Sequence, residues 1–282
     1  MRLVCPTAFK GTFSPLEAAG RLAHPGDRLL PLSDGGDGFL ECLQFVLGGS
    51  RETVEAADPF GAKRAVPVLR LPDGTVALES AAVIGLAGLP HPDPLRASSR
   101  GFGELLAKFQ DAPRLWIGLG GTATVDGGRD WPSLRLPPTR VFCDVATELR
   151  DAAARFGPQK GARAEDVPVL MARLAGLGLP SGPFTGAAGG LGGRLKALGA
   201  ELQDGALGMM AVAAFDRACL DCEEVLTGEG RLDASTLEGK LPMRVAQRAH
   251  ALGLRVIGHF GSKGEGWEAA ASGFDELRFG LD

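Results

Sequence analysis

The side chains of this chain that could do chemistry are concentrated in short glycine-rich segments. In Thr227-Gly228-Glu229-Gly230-Arg231-Leu232-Asp233-Ala234-Ser235-Thr236-Leu237-Glu238-Gly239-Lys240, two glycines flank Glu229 and would let the backbone turn tightly. Arg231, Asp233, Ser235, Thr236 and Lys240 supply charge and hydroxyls within the same stretch. In Leu119-Gly120-Gly121-Thr122-Ala123-Thr124-Val125-Asp126-Gly127-Gly128, consecutive glycines allow backbone N–H groups to converge on an anion, and Thr122 and Thr124 add hydroxyls. This is neither a Walker A sequence nor a dinucleotide fingerprint, and the same residues equally build a glycine turn capped by Asp126. Ser33-Asp34-Gly35-Gly36-Asp37-Gly38 sets two carboxylates ahead of a helix, one more than capping requires. Phosphorylation of an alcohol would use such a set: one carboxylate to accept or orient the hydroxyl proton and others to hold Mg2+ through oxygen. Asp34, Asp126, Asp144, Glu229 and Asp233 are the available acids, at strand ends or in glycine loops. Lys10, Lys160, Arg231 and Lys240 are the cations beside such loops; each alone is an ordinary solvated charge, and together they suit clamping of a phosphate or carboxylate.

These segments fall where apolar strands hand over to helices. Arg2-Leu3-Val4-Cys5 reads as a buried strand, followed by a loop through Lys10 and a helix opened by Ser14-Pro15-Leu16-Glu17, where Ser14 caps and Glu17 closes a capping box. Residues 28–32 form the next strand, and an apolar helix over 39–47 is stopped by Gly48-Gly49. Residues 53–57, 65–71 and 75–79 then read as short β segments of an antiparallel meander, with Pro59-Phe60-Gly61 and Pro72-Asp73-Gly74 turns between them. Ser98 or Ser99 caps a helix through Phe109, residues 115–119 and 141–145 are further strands, and Thr185 to Gly193 is a glycine loop. A strand over 224–227 ends at the polar segment, read as a loop, after which Pro242 opens a helix to about Ala249; residues 256–260 are a late strand. Strand–helix alternation, a meander and alternation again predict an α/β fold with a discontinuous outer domain, residues 1–50 and 190–282, and an inserted mixed α/β domain, residues 51–189. In open parallel sheets ligands bind at the carboxyl ends of the strands, where these loops lie.

A chain of 282 residues buries roughly three quarters of its unfolded surface, enough for one large or two smaller domains. The 30 Lys and Arg against 34 Asp and Glu leave a net charge of −4 without long like-charge runs, which excludes a general nucleic-acid or membrane-surface binder. Without a leader pattern or an apolar run of ~18 residues, the expectation is a soluble cytoplasmic protein. Five irregularly spaced cysteines read as reduced and buried. Cys219-Leu220-Asp221-Cys222 is a lone CxxC that reads as two helix-end cysteines beside a core strand, and the four histidines receive no catalytic role.

Seven motifs occur in order along the chain: Phe9-Lys10-Gly11, Ser33 to Gly38, Gly118 to Thr124 with Asp126-Gly127-Gly128, Cys143-Asp144-Val145, Phe156-Gly157-Pro158-Gln159-Lys160-Gly161-Ala162, Gly186 to Gly192, and Thr227 to Asp233 with Thr236, Gly239 and Lys240. On these the chain resembles the bacterial glycerate kinases of the type that makes 2-phosphoglycerate. The resemblance implies ATP- and Mg2+-dependent phosphorylation of D-glycerate in a cleft between a flavodoxin-like, Rossmann-like parallel-sheet domain and a second, inserted mixed α/β domain. Asp34 and Asp126 are then expected as proton acceptor or metal organiser, with Lys10 and Arg231 as catalytic cations. Gly120, Gly121, Thr122, Lys160, Glu229, Asp233 and Lys240 are expected at substrate and phosphate, and Asp144 and Asp34 at the metal. The expected partners are glycerate and ATP, with no nucleic acid or membrane, in a monomer or homodimer. Departures from the family pattern are Thr7 and Ala8 where Asp and Ser are usual, Val125 and Thr147 where Asn is usual, a shortened stretch between Gly128 and Val141, and a final helix missing after Asp282. These departures allow a kinase of another small hydroxy acid, or a nucleotide- or metabolite-binding homologue without catalysis.

Overall fold

The structure, a computed structural model, describes residues 1–280; the chain end at Asp282, after which the resemblance marks a final helix as missing, lies outside the described residues. The N-terminal segment runs β1 (Arg2–Val4), α1 (Pro15–Leu22), β2 (Arg28–Leu29) and α2 (Phe39–Leu47). Its turns follow the sequence closely. Ser14 Oγ accepts from the Glu17 N–H while the Glu17 carboxylate accepts from the Ser14 N–H, which completes the capping box, and α2 gives way to Gly48 and Gly49, both at positive φ.

The chain then builds β3 (Ser50–Ala57), β4 (Lys63–Arg70), β5 (Val76–Glu79), α3 (Ser80–Ile84), α4 (Arg100–Ala107), β6 (Leu115–Leu119), β7 (Thr139–Cys143), α5 (Ala152–Phe156), α6 (Val167–Ala175), α7 (Ala187–Ala197) and β8 (Glu201–Asp204). Strands β3, β4 and β5 pair antiparallel, as the meander predicts, and β5 to β8 continue the same sheet in parallel, in the order β3-β4-β5-β6-β7-β8. Its core gathers Val66, Val76, Leu78, Phe102, Leu105, Ile117, Val141, Leu191 and Leu195, all buried. Helix α4 sits close because Gly101 and Gly103 carry no side chain: a Cβ at Gly101 would lie 2.0 Å from the Ala57 carbonyl oxygen, and one at Gly103 would lie 2.5 Å from the Trp131 ring.

The C-terminal segment supplies α8 (Gly205–Val212), α9 (Phe215–Ala218), β9 (Glu224–Leu232), α10 (Leu241–Ala251), β10 (Arg255–Lys263), α11 (Trp267–Ala271) and β11 (Glu276–Phe279). With β1 and β2 these strands form an all-parallel sheet in the order β11-β10-β9-β1-β2, which is the 2-1-3-4-5 order of flavodoxin-like folds read from its other edge. Leu3, Val225, Val245, Ala249, Val256 and Phe260 fill one face of it. Contacts divide the chain into a five-stranded unit, Met1–Leu47 with Ala206–Asp282, and a six-stranded unit, Gly48–Gly205. Residues 190–205, assigned by sequence to the returning segment, pack in the six-stranded unit because β8 hydrogen-bonds β7.

Two sequence readings change. Strand β9 does not stop at Thr227 but continues through the glycines to Leu232, paired with β10 as far as Leu232 beside Lys263. Gly228 serves close strand approach and not a tight turn: a Cβ there would stand 1.7 Å from the His259 carbonyl oxygen. The segment from Thr185 to Gly193, read as a loop, enters α7 through three successive residues in left-handed conformation, Ala188 (φ 51°), Gly189 (φ 68°) and Gly190 (φ 94°).

Candidate active site

In the five-stranded unit the candidate residues collect at the carboxyl ends of β1, β2 and β9. The order of the sheet reverses between β1 and β9, the switch point at which parallel sheets open a crevice for ligands. Strand alternation puts Thr227, Glu229 and Arg231 on one face of β9. Thr227 is buried and donates to the Cys5 carbonyl, which ties β9 to β1 beneath the site. Farther along, the Thr236 hydroxyl donates to Glu229 Oε1 at 3.0 Å, and Lys240 Nζ lies 3.7 Å from Glu229 Oε2 and 3.6 Å from Asp233 Oδ1. Asp233 caps the short helical turn after β9: its carboxylate accepts from the Ser235 N–H and hydroxyl and pairs with Arg231 Nε at 3.4 Å.

Burial pushes the Glu229 carboxyl up to about 7, against the pull of Lys240 and of the Thr236 hydroxyl; Asp34 adds to the rise and Lys10 opposes it. The folded protein therefore keeps a proton that the unfolded chain releases above its ordinary 4.5, so Glu229 lowers stability as pH rises from about 4.5 to 7. Asp233 moves the other way. Burial alone would raise it, but the Ser235 hydrogen bonds and the charges of Lys240 and Arg231 hold it below its usual value.

Asp34 closes a turn in which its Oδ1 accepts from the Gly36 N–H at 3.0 Å. Lys10 is exposed at the tip of a turn closed by pairing of Phe9 with Phe13. It borders a hollow of about 300 Å3 lined also by Ala8, Thr12, Ser14, Asp37 and Gly38. Lys10, Asp34, Glu229, Asp233 and Lys240 are thus electrostatic neighbours, and Arg231 joins them through Asp233.

In the six-stranded unit, Gly120, Gly121, Thr122, Asp126, Asp144 and Lys160 surround the loop after β6. Gly120 is held on both sides by Ser80, whose hydroxyl donates to the Gly120 carbonyl at 3.0 Å and accepts from the Gly120 N–H at 3.1 Å. The Ala123 N–H donates to the Ile84 carbonyl, so two N–H groups of the loop are spent within the protein and not on an anion. Gly121, at φ 65°, is the partly exposed residue of the turn. A Cβ at Gly120 would lie 2.5 Å from Asp144 Oδ2, so the glycine makes room for that carboxylate beside the loop.

Lys160 is not a surface clamp. It is 4 % exposed, and its ammonium donates to Thr122 Oγ1 at 3.2 Å and to the Thr124 carbonyl at 2.9 Å. Burial lowers its pKa to about 8, while Asp144 and Asp126 act to raise it. Asp126 is 1 % exposed and also faces inward: Oδ2 accepts from the Ser99 N–H at 2.7 Å and the Ser99 hydroxyl at 2.9 Å, and Oδ1 accepts from the Gly128 N–H at 3.4 Å. Ser99 is the N-cap position of α4, and Trp131 Nε1 donates to its hydroxyl at 2.8 Å. Burial raises the Asp126 pKa against these hydrogen bonds. The carboxylate anticipated as a base thus holds the N-cap residue of α4 and ties that helix to the loop after β6.

Ser80 and Ser99 were not singled out as site partners by sequence. Ser80 and Ser99 lie far along the chain from the loop they support, and no local spacing marks them. Among the described residues no three His, Cys, Asp or Glu side chains gather to hold a metal. A Mg2+ ion that keeps its waters and binds phosphate oxygens needs only one or two carboxylates, and Asp144 beside the glycine loop fits that donor set.

Comparison with known proteins decides the family. The glycerate kinase family profile matches residues 2–130 and 132–278. The chain belongs to the glycerate kinase family. It is 33% identical to a glycerate kinase of Bacillus subtilis, covering 92% of this chain and 84% of that protein. It is 30% identical to a glycerate 2-kinase of Escherichia coli, covering 92% and 84%. The crystal structure of a Salmonella typhimurium LT2 protein provisionally named glycerate kinase 2 superposes with a TM-score of 0.76 at 28% identity, covering 99% of this chain and 89% of that one. As a member of this family the chain is a kinase. Its departures from the family pattern fall in distinct places: Val125 is fully buried among Leu149, Leu170 and Leu174, whereas Ala8 lies on the wall of the hollow beside Lys10. No helix among the described residues is long and apolar enough to cross a membrane.

Proposed function

We propose that this glycerate kinase homologue transfers the γ-phosphoryl group of ATP to the 2-hydroxyl of D-glycerate, forming 2-phosphoglycerate and ADP. The observation that carries the proposal is the gathering of Lys10, Asp34, Glu229, Asp233 and Lys240 at the β1/β9 switch point of a chain in this family. The name of the Escherichia coli relative supports phosphorylation at the 2-position. Phosphoryl transfer asks a protein mainly for positioning and charge neutralisation. Exposed Lys10 and Arg231 suit the carboxylate and phosphate anions, and an acid of the same cluster takes the hydroxyl proton. In the six-stranded unit, Gly121 and Asp144 suit nucleotide phosphates and Mg2+; the ion, when bound, neutralises charge on the phosphate oxygens. Asp144 would hold it, and Asp34, engaged with the Gly36 N–H, belongs with the substrate. Lys160 and Thr122 act from inside, fixing the loop's shape.

A coupled ADP-release assay with D-glycerate, Mg2+ and ATP tests this, and absence of turnover by folded protein contradicts it. Ala8 on the wall of the hollow favours a second reading, in which another small hydroxy acid is the better acceptor. A panel of hydroxy acids separates the two, because D-glycerate with the highest kcat/KM excludes the second. The five free, buried cysteines suit a reducing cytoplasmic setting, and a monomer or homodimer is the assembly we propose.

A further inference from the structure

Resting on the kinase reading above, we propose that Glu229 is the catalytic proton acceptor for the substrate hydroxyl, with Thr236 and Lys240 as the residues that position its carboxylate. Of the four acids Asp34, Asp126, Asp233 and Glu229, one is in the right condition for that task. Asp126 is enclosed by Ser99 and Gly128. Asp233 is committed to Ser235, Arg231 and Lys240, which stabilise its charge and make it a poor base. Asp34 gives one oxygen to the turn at Gly36. Glu229 differs from all three. It stands on the rigid, β10-paired end of β9, with a side chain only 13 % exposed, at the switch point where the sheet admits a ligand.

Its two oxygens are used unequally. Oε1 has the Thr236 hydroxyl at 3.0 Å, whereas Lys240 Nζ stands 3.7 Å from Oε2, beyond a direct hydrogen bond. Oε2 is therefore the oxygen placed to take a proton. Lys240 faces Glu229 from the start of α10, Asp34 from the loop after β2 and Lys10 from the loop after β1; Phe260 is its partner on β10 and carries no charge. Burial outweighs the two lysines and, with Asp34, leaves the carboxyl near neutral pH, where a general base works best. In the step, the hydroxyl O–H bond breaks and its proton passes to Glu229. The hydroxyl oxygen bonds to the γ-phosphorus as the bond from that phosphorus to the bridging oxygen of ADP breaks, and Glu229 returns the proton to water after product leaves.

The experiment compares kcat against pH for wild type, Glu229→Gln, Glu229→Asp and Thr236→Val, with D-glycerate and MgATP saturating. Wild type is expected to lose kcat as pH falls through about 7, because the active form is the carboxylate. Glu229→Gln is expected to lose about 10²-fold or more of kcat at every pH with KM for ATP little changed, and Glu229→Asp to recover part of it. Thr236→Val removes a hydrogen bond that favours the charged form, so its acidic limb is expected at higher pH than in wild type. An active wild type whose Glu229→Gln variant keeps kcat within threefold, or whose acidic limb stays in place in Thr236→Val, overturns the assignment of Glu229 alone. A folded wild type that phosphorylates no hydroxy acid overturns the kinase reading and this assignment with it.

Discussion

Asp126 shows how one residue's partners separate a carboxylate held by structure from the one proposed for the chemistry. Its oxygens accept from the Ser99 N–H, the Ser99 hydroxyl and the Gly128 N–H, all donors, so an amide in its place would aim an NH2 group at an N–H. Asp126→Asn is therefore expected to cost about 1–3 kcal/mol of stability in chemical denaturation while the folded fraction keeps kcat within about threefold. A kcat loss of 10²-fold without loss of stability would return Asp126 to the chemistry. In sequence, Asp126 and Glu229 look alike, each an acid in a glycine-rich stretch. What distinguishes them is the long-range contact with Ser99 in one case and the enclosure by Thr236 and Lys240 in the other. Only Thr236 and Lys240 lie in the same stretch as the acid they serve.

Among the elements, those whose ends are written in local chemistry were legible. The Ser14–Glu17 capping box starts α1, and Gly48-Gly49 ends α2, because capping and positive φ are decided within a few residues. The far end of β9 was not legible, since glycines read as turn formers until the β10 backbone is seen against them. The same holds for the left-handed turn at the start of α7. There Gly189 packs on the backbone of the loop after β6: a Cβ would come within 2.0 Å of the Thr124 carbonyl oxygen, which also accepts from Lys160. Gly189→Ala is thus expected to displace Thr124 and Lys160, lowering the thermal midpoint and raising KM for ATP severalfold. A variant with unchanged midpoint and KM would show that this packing does not shape the loop.

For the whole molecule, composition and the alternation–meander–alternation pattern carried the fold class, while the edge of the insertion required the β7–β8 pairing to be seen. The six-stranded unit has its own sheet and its own buried cores, so we expect residues 48–205 expressed alone to unfold in one cooperative transition. A non-cooperative melt would instead make its folding depend on the rest of the chain. Family membership makes the chain a kinase, and its acceptor remains the claim on which the account turns. The most direct measurement is proton-coupled phosphorus NMR of the product formed from D-glycerate and MgATP. Phosphorylation at the 2-hydroxyl predicts a doublet, because one proton lies on the ester carbon. A triplet from a CH2–O–P ester, or no new phosphate ester from folded enzyme, would contradict it.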